Sequence, residues 1–311
     1  DGPSIRTTAE LDGAVTDAEL IFLTGPVHKQ RTYSMVLADH LKDGQVLVVA
    51  PGRSLGALET AWLLRIGGCT ADVTIVEAQG LPYWYDEAGS ILTLSQVAPM
   101  PAATLPSGRP EILSALKKYF PNLVTFDSVL GSGFSDGSAL VEVPTLLMGG
   151  PSLQSGAASI PMGGQYLENN RTFASLIGPA HKAVISKLTE ERHLVAKSFG
   201  IRNLPSSDEM IDTYGGSLRG DYSRPIPSHK MSKSLLRCGV IGSLVPLKSA
   251  GNIANVQVPV TTAIITLASS VLGADVSAAG RRLEAIGIDS GDIDTARRAM
   301  DAIATGEKYG R

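Results

Sequence analysis

The chain has 311 residues, of which 43% are hydrophobic and 18% are charged, and its formal net charge is −3. At about 150 residues per domain, this length favours two domains, each able to bury an apolar core. The apolar content excludes an intrinsically disordered chain. The balanced charge, with no Lys/Arg stripe, argues against a nucleic-acid partner.

The cysteine content, the hydropathy and the first residue further limit the class of protein to which the chain can belong. Cys69 and Cys238 are too few for a disulfide framework or a zinc site, so they favour buried thiols in the reducing cytoplasm. Long apolar stretches, such as 261–274, fall short of the roughly 20 residues that a membrane span needs. No secretory signal is visible. Because residue 1 is Asp, we expect either a processed start or an N-terminal segment outside this sequence.

The first 130 residues alternate between strand and helix patterns. Short apolar runs bounded by turn residues predict buried strands at 19–24, 45–50 and 73–77. Helical spacing predicts helices between them, at 33–41 and 56–66. This alternation is typical of a doubly wound, Rossmann-type α/β sheet.

The carboxyl ends of these strands form the predicted ligand edge, because ligands of such sheets bind beyond that edge. The residues there that would contact a cofactor are Gly25, Pro26, Pro51, Gly52 and Glu77. The alternative is that the Gly and Pro residues only form turns.

A glycine-rich phosphate loop is missing from the pattern. No G-x-G-x-x-G sequence follows a strand, so we expect an incomplete Rossmann-type sheet without its pyrophosphate-binding half. Three other glycine-containing stretches have unsuitable spacing, and we predict loops at 131–137, 149–150 and 163–164.

Residues 131–311 carry helical periodicity instead. Apolar spacing and end signals predict helices at 140–148, 174–200, 206–213, 258–272, 278–286 and 293–305. A polar, basic loop covers 219–230. The chain therefore divides into a predicted Rossmann-type domain at 1–130 and an all-helical domain at 131–311.

Short segments spread over the whole chain form a recognisable order. They are Asp43–Gly52, Gly56–Glu59, Glu77, Leu81–Tyr83, Val143–Leu147, Glu191–Arg192, Ala196–Phe199, Ser243–Leu247 and Gly280–Gly287. In this order and spacing they resemble the octopine/nopaline (opine) dehydrogenase family. Members of that family run about 50 to 60 residues longer at the N-terminus, where the phosphate loop lies.

The resemblance implies an NAD(P)-binding domain followed by a helical domain of the 6-phosphogluconate dehydrogenase C-terminal-like class, with the active site in the cleft between them. It implies NAD or NADP as the cofactor of an oxidoreductase acting on CH–NH donors. Such an enzyme condenses an amino acid with a 2-oxo acid through an imine that receives hydride. The amino acid and the 2-oxo acid are then its partners in the cytoplasm. The apolar helix at 258–272 belongs to the core or to a homodimer interface, and both remain open.

The family's reactive positions are not all matched. Its catalytic His aligns with Val141, beside Glu142. Its acidic partner aligns with Cys238 and Gly239, and an Arg of the family aligns with Asp86. Because Val cannot exchange a proton and neither Cys nor Gly can orient a His, other residues must do this chemistry or it is lost.

Other polar residues supply candidates for these roles. The candidate catalytic residues, which carry groups able to transfer a proton, are His229, His181 and Glu142. The candidate substrate ligands, from the resemblance and from the basic loop, are Tyr166, Arg192 and Lys230. A structural role in a helix, a loop or a salt bridge is the alternative for each. No His spacing suits a metal site.

Three functions remain open from the sequence. The first is an NAD(P)H-dependent dehydrogenase of the opine lineage with a shifted catalytic residue. The second is a non-redox enzyme, a lyase or isomerase, on the same scaffold. The third is a catalytically inactive ligand-binding subunit.

Overall fold

The computed structural model describes residues 6–81, 83–88, 91–97, 99–149, 161–162, 165–166, 172–215 and 224–309. For the strands between residues 83 and 97 and between 161 and 166, only the backbone is described. Within these ranges no helix is both long and apolar enough to cross a membrane.

Nine strands are described. In chain order they are β1 (Leu20–Thr24), β2 (Val46–Ala50), β3 (Thr74–Ala78), β4 (Tyr83–Ala88), β5 (Ile91–Val97), β6 (Met100–Leu105), β7 (Leu123–Thr125), β8 (Pro161–Met162) and β9 (Gln165–Tyr166). Five of them form the main sheet in the order β1-β2-β3-β6-β7. The first three strands are parallel, as their continuous apolar runs predict.

The sheet is mixed, which the sequence pattern did not predict. Strand β6 pairs antiparallel with β3, and β7 pairs parallel with β6. Strands β4 and β5 form a separate two-stranded ribbon, as do β8 and β9. Strand β6 escapes a pattern search because Pro101 and three small or polar residues dilute its apolar run.

Five helices accompany this part of the chain. They are α1 (Leu11–Val15), α2 (Val27–Leu37), α3 (Gly56–Ile66), α4 (Pro110–Lys117) and α5 (Val129–Ser135). The bounds of α3 match the prediction. The prediction of a helix at 33–41 was wrong at both ends, because α2 begins directly after Pro26 and its first turns carry polar residues that no apolar search detects.

The predicted loop at 131–137 was also wrong, because α5 covers most of it. All seven residues of α5 are buried. Its glycines permit close packing: a Cβ on Gly131 would lie 2.8 Å from the Phe126 ring, and a Cβ on Gly133 would lie 3.1 Å from the amide nitrogen of Leu55. Gly133 therefore brings α5 against the turn that precedes α3.

The remaining helices lie in the second part of the chain. They are α6 (Ser138–Gly149), α7 (Pro179–Ser198), α8 (Ser207–Gly215), α9 (His229–Gly239), α10 (Val245–Ile253), α11 (Pro259–Leu272), α12 (Leu283–Ile286) and α13 (Ile293–Thr305). The bounds predicted for α11 and α13 agree within one residue.

Three predictions for this part need correction. The expected helix at 174–200 is a 3₁₀ turn, Phe173–Leu176, followed by α7, because Pro179 favours the first position of a helix. The expected helix at 278–286 is confined to α12. Gly149 ends α6 rather than forming a loop, while residues 150 and 163–164 lie outside the described residues.

Helices α9 and α10 run into one another through a π-helical segment, Val240–Leu244. No helix was predicted here, because Gly239, Gly242 and Pro246 resemble helix breakers. In the fold the two glycines are contact points. A Cβ on Gly239 would lie 2.8 Å from Val143, and one on Gly242 would lie 3.0 Å from Arg53. Single π-helical turns inside α-helices are frequent at functional sites.

The apolar core does not stop at the predicted division. One buried cluster contains Leu58 from α3, Phe199 after α7 and Leu247 from α10. Helix α5 spans the predicted boundary at residue 130, and α13 packs against α3. The two halves are therefore joined by a shared interior, while their division into domains stays a prediction.

Candidate active site

The carboxyl ends of β1 and β2 lie side by side, with Thr24 opposite Ala50 in the register. The side-chain amide of Gln30 donates to the carbonyl oxygens of Gly25, over 3.1 Å, and of Pro51, over 2.9 Å. Its own carbonyl oxygen, Oε1, is buried and has no partner in the described structure. A ligand donor at this edge would therefore find a preformed acceptor.

Gly25 and Pro26 occupy the open side of this edge. Gly25 is exposed, has a φ of +102°, and has no atom within 4 Å of the position of a Cβ. Only glycine adopts this conformation at low cost. The space beside Gly25 lets another molecule approach the backbone closely.

Glu77 is turned into the protein at the end of β3 and is 0% exposed. Its carboxylate accepts hydrogen bonds from the Ala57 amide over 3.1 Å and from Ser132 Oγ over 2.9 Å. A Cβ on Gly52 would lie 2.6 Å from Glu77 Cγ, so the position of the Glu77 side chain requires a glycine at residue 52. Burial raises the pKa of Glu77 to about 7, although these hydrogen bonds oppose the rise. The contacts recorded for Glu77 are with the protein, and its predicted contact with a cofactor stays a prediction.

The turn after β2 carries the chain from the sheet to the helical part. Arg53 and Leu55 have φ values of +53° and +65°, which non-glycine residues rarely adopt. The side chain of Arg53 leaves this turn and donates to Ser138 Oγ over 2.9 Å. It also approaches the carboxylate of Glu142, with 4.0 Å between Nη2 and Oε2.

Glu142 lies between two arginines. Arg224 Nη2 donates to Glu142 Oε1 over 2.6 Å, while Glu142 Oε2 has only the distant guanidinium of Arg53 and no hydrogen-bond partner. The guanidinium of Arg224 stacks on the Phe173 ring at 4.2 Å and donates to the Tyr214 carbonyl oxygen over 2.6 Å. Two cations therefore face one carboxylate, and one of its oxygens is free.

A second carboxylate, Asp136, lies beside this group and accepts from Ser138 Oγ over 2.6 Å and from Ser243 Oγ over 2.5 Å. Asp136 and Arg192 line a cavity of about 20 Å³ between the two parts of the chain, which holds about one water molecule. The cavity is too small for a substrate.

Arg192, a predicted substrate ligand, is 2% exposed. It donates to the carbonyl oxygens of Phe134, over 3.3 Å, and of Pro205, over 2.6 Å. Burial lowers the pKa of its guanidinium to about 10. These contacts hold α7 against its neighbours, and the Nε atom is left without a partner.

The two candidate histidines stand at helix starts. His181, in the first turn of α7, accepts through Nδ1 from the Gly178 amide over 3.2 Å, and burial lowers its pKa. His229 is the first residue of α9, and its Nδ1 is buried without a partner. Lys230 is exposed, and the side chain of Tyr166 lies outside the described residues. The hydrogen bonds of Glu142 run to arginine, so the described contacts do not bring the three catalytic candidates together.

Two of the positions at which the resemblance expects the family's reactive residues, Val141 and Cys238, are buried. Val141 is 0% exposed and belongs to an apolar cluster that includes Leu244. Cys238 is 6% exposed, and Gly239 packs against Val143. The side chain of Asp86 lies outside the described residues. Nothing described at Val141 can donate or accept a proton.

Arg53, Asp136 and Arg224 were not predicted as site residues. Arg53 directly follows Pro51-Gly52 at a predicted ligand edge, and Arg224 lies in the predicted basic loop, so both carried a weak signal. Asp136 carried none, because its stretch was interpreted as a loop. Among the described residues no group of His, Cys, Asp and Glu could hold a metal ion.

The protein therefore belongs to the class in which a Rossmann-type sheet is joined to a helical part. Buried charged residues lie where the two parts meet. The solved structure of octopine dehydrogenase with NADH and pyruvate has this fold. It superposes with a TM-score of 0.66 at 16% sequence identity, covering 95% of this chain and 79% of that chain. The octopine dehydrogenase complex with NADH and L-arginine gives the same score.

Sequence comparison extends the likeness beyond the fold. The chain is 26% identical over 294 residues to the opine dehydrogenase of Arthrobacter sp. (strain 1C), covering 90% of this chain and 78% of that protein. It is 22% identical over 305 residues to the protein ocs of Agrobacterium tumefaciens (strain Ach5), covering 94% of this chain and 82% of that protein. No family model matches the chain. The resemblance of this chain to the opine dehydrogenases is thereby confirmed.

Proposed function

We propose that this protein is an NAD(P)H-dependent oxidoreductase that reductively condenses an amino acid with a 2-oxo acid. The observation that carries the proposal is the match to an opine dehydrogenase over 90% of the chain, on a fold shared with octopine dehydrogenase. In this reaction the amine and the ketone form an imine with loss of water. Hydride then adds to the imine carbon, and the nitrogen takes up a proton.

The described strand ends fit part of a nicotinamide cofactor. Gly25 leaves open space beside the backbone, and Gln30 Oε1 is a buried acceptor without a donor. Gly25, Pro26 and Pro51 would hold the cofactor at this edge, with Gly52 and Glu77 shaping the turn beneath it. When bound in its reduced form, NADH or NADPH, the cofactor would supply the hydride.

The substrate carboxylate is assigned first to Arg53 and Arg224. Both guanidiniums face Glu142, and only one of its oxygens is hydrogen-bonded. Arginine suits this role because its planar donors match a carboxylate. Arg192 is 2% exposed and donates to two backbone carbonyl oxygens, whereas the side chains of Arg53 and Arg224 are 11% and 12% exposed. We therefore assign Arg192 a supporting role, while Tyr166 and Lys230 remain further candidates.

Glu142 is the candidate proton-transfer residue. It is 6% exposed, lies next to Val141 on α6, and keeps one oxygen free for a substrate group. A buried carboxyl within reach of the condensing carbonyl would assist the loss of water. His181 and His229 each keep one buried, unpartnered ring nitrogen, and they are the alternative acids. We also propose a cytoplasmic location, and a homodimer remains open.

The test is a matrix of amino acids against 2-oxo acids, each pair offered with NADH and with NADPH. We expect oxidation of one nucleotide that requires both substrates, together with a secondary-amine product whose mass equals the sum of the two acids minus one oxygen, because one water is lost and two hydrogens are gained. Glu142→Gln should lower kcat by about 100-fold. The matched control is Glu190→Gln, an exposed residue paired with Lys187, and it should leave kcat unchanged.

Two outcomes would contradict the proposal. Nucleotide oxidation with the 2-oxo acid alone would indicate a simple ketone reductase. Binding of nucleotide and substrates without turnover would favour the inactive ligand-binding subunit, which the buried apolar Val141 supports.

A further inference from the structure

Arg281, in the loop before α12, reaches from the helical part into the sheet-bearing part and is 2% exposed. Its Nη1 donates to the carbonyl oxygens of Ser54, over 2.5 Å, and of Gly52, over 3.3 Å. The same nitrogen lies 3.2 Å from the carbonyl oxygen of Gly242 in the π-helical segment. One guanidinium therefore joins the turn after β2 to the centre of the helical part.

Two of the carbonyl groups that Arg281 binds, those of Gly52 and Ser54, lie on either side of Arg53. Arg53 has a left-handed φ, as described above, and so does Leu55, two residues further along the chain. Such a conformation is strained for residues other than glycine and persists only where surrounding contacts enforce it. Arg281 supplies such contacts at Gly52 and Ser54, the positions that set the direction of the Arg53 side chain.

Other contacts hold Arg281 in place. Its Nε donates to Glu59 Oε2 over 3.0 Å, and Glu59 also pairs with Arg31 over 2.8 Å. Burial alone would favour the neutral acid, but these two arginines lower the pKa of Glu59. Arg31 in turn donates to the carbonyl oxygen of Ala279, two residues before Arg281, over 2.8 Å. Glu59 of α3 thus fixes the Arg281 guanidinium through an ion pair, and Arg31 holds the loop that carries Arg281.

The opposite side of the turn is equally close-fitting. A Cβ on Gly242 would lie 3.0 Å from Arg53 Cδ, and the amide of Ser54 donates to the Gly242 carbonyl oxygen over 3.0 Å. Arg53 then reaches Ser138 and Glu142 on α6. A continuous series of contacts therefore leads from the Arg281 guanidinium to the turn after β2, and from Arg53 in that turn to Glu142 in the proposed site.

We propose that Arg281 is a positioning residue for the reductive condensation, acting through the turn at residues 51–55 to hold Arg53 opposite Glu142. This inference rests on the proposed function, because Arg53 is there assigned to the substrate carboxylate. Arg281 itself does not touch the substrate. Removal of the Arg281 side chain lets the turn relax and moves Arg53 away from the position at which it binds the substrate carboxylate.

The experiment is a double-mutant cycle on the full chain with Arg53→Met, Arg281→Met and the combined variant. Each single change should lower kcat/KM for the 2-oxo acid by about tenfold or more, and the double variant should lose little beyond Arg53→Met alone. A merely structural Arg281 would instead give losses that multiply. Arg281→Lys keeps a positive charge but lacks the planar donors, so it provides a milder second variant if Arg281→Met does not fold.

Arg282→Met is the matched control, because Arg282 is adjacent but exposed, and it should leave kcat/KM unchanged. Amide hydrogen exchange provides a readout that does not depend on turnover. Arg281→Met or Arg281→Lys should speed exchange in peptides covering residues 51–57, where the Ser54 amide is hydrogen-bonded, and the control should not.

The outcomes separate this inference from the proposed function. Faster exchange at residues 51–57 with a non-additive cycle supports the positioning role. Unchanged exchange, or losses that multiply, overturns it even in an active enzyme. If the wild-type protein condenses no pair of substrates, the proposed function fails. Faster exchange would then show only that Arg281 holds the turn. A role of Arg281 in this reaction would be excluded.

Discussion

The backbone amide of Ala57 donates to Oε2 of Glu77 over 3.1 Å, so that a buried carboxyl group at the end of β3 closes the amino end of α3. The opposite oxygen accepts from Ser132 in α5. One side chain thus ties the sheet to two helices at the edge where a cofactor is proposed to bind. Because this group is buried and can be protonated, the stability of the edge should depend on pH.

Burial raises the pKa of Glu77 from 4.5 to about 7, so the folded protein holds this proton more tightly than the unfolded chain. The resulting stabilisation is complete below about pH 4.5 and is lost as the pH rises through about 7. Its full size is at most about 3 kcal/mol. Urea unfolding of the wild type and of Glu77→Gln between about pH 5 and pH 8 should show this decline in the wild type only.

Glu190→Gln, on the exposed surface, is the control and should keep the wild-type pH dependence. The difference between wild type and Glu77→Gln isolates the contribution of Glu77, because all other titratable groups are common to both proteins. An equal slope in both proteins would contradict the raised pKa.

The parallel strands and α3 could be predicted because their signals are local. Strand β2 is a continuous apolar run, and α3 has apolar residues at helical spacing with two glycines after its end. Helix α5 and the π-helical segment could not be predicted in this way. Their glycines, such as Gly133 and Gly242, provide room for neighbouring chain segments. In a sequence, a glycine that allows close packing cannot be distinguished from a glycine that forms a turn.

The candidate site was predicted only in part for a similar reason. Glu142 could be singled out as a carboxylate beside a family position. Its partner Arg224 is 82 residues away in sequence, and no local spacing joins them. A buried ion pair of this kind is set by tertiary packing, so only the fold reveals which arginine faces which acid.

Removal of Arg224 should destabilise the protein strongly. Glu142 would keep only the guanidinium of Arg53 at 4.0 Å, and a buried carboxylate left without its close partner costs about 3 kcal/mol or more. We therefore expect Arg224→Met to lower the midpoint of urea unfolding clearly, and Arg224→Met with Glu142→Gln to recover part of the loss. Lys187→Met, which breaks an exposed pair with Glu190, should change stability by less than about 1 kcal/mol. Equal effects of the two single variants would show that Arg224 is not a buried partner.

Gly52 should not tolerate a side chain. A Cβ there would lie 2.6 Å from Glu77 Cγ and 3.2 Å from the Val49 carbonyl oxygen, so Gly52→Ala must displace a buried side chain or the strand. Such overpacking costs about 1 to 3 kcal/mol, and the displaced turn should weaken nucleotide binding. Thermal unfolding and NAD(P)H titration measure the two effects.

The matched control for this change is Gly80→Ala, since Gly80 follows β3 at the same edge and has no atom within 4 Å of a Cβ. This variant should keep the wild-type melting temperature and nucleotide affinity. A stable Gly52→Ala protein with normal affinity would argue against the close fit of Gly52 and Glu77.

A histidine at position 141, where the resemblance expects the family's catalytic histidine, should not create a catalytic group. Val141 is 0% exposed within an apolar cluster, so an imidazole there would have buried nitrogens without partners, at a cost of about 1 to 3 kcal/mol. We expect Val141→His to lower the melting temperature and to leave kcat for the condensation no higher than in the wild type. Val141→Ile, which keeps the position apolar, is the control for altered volume. A Val141→His protein with higher kcat and a new pH dependence near 6.5 would instead show that this position faces the substrate and that the proton-transfer role assigned to Glu142 is wrong.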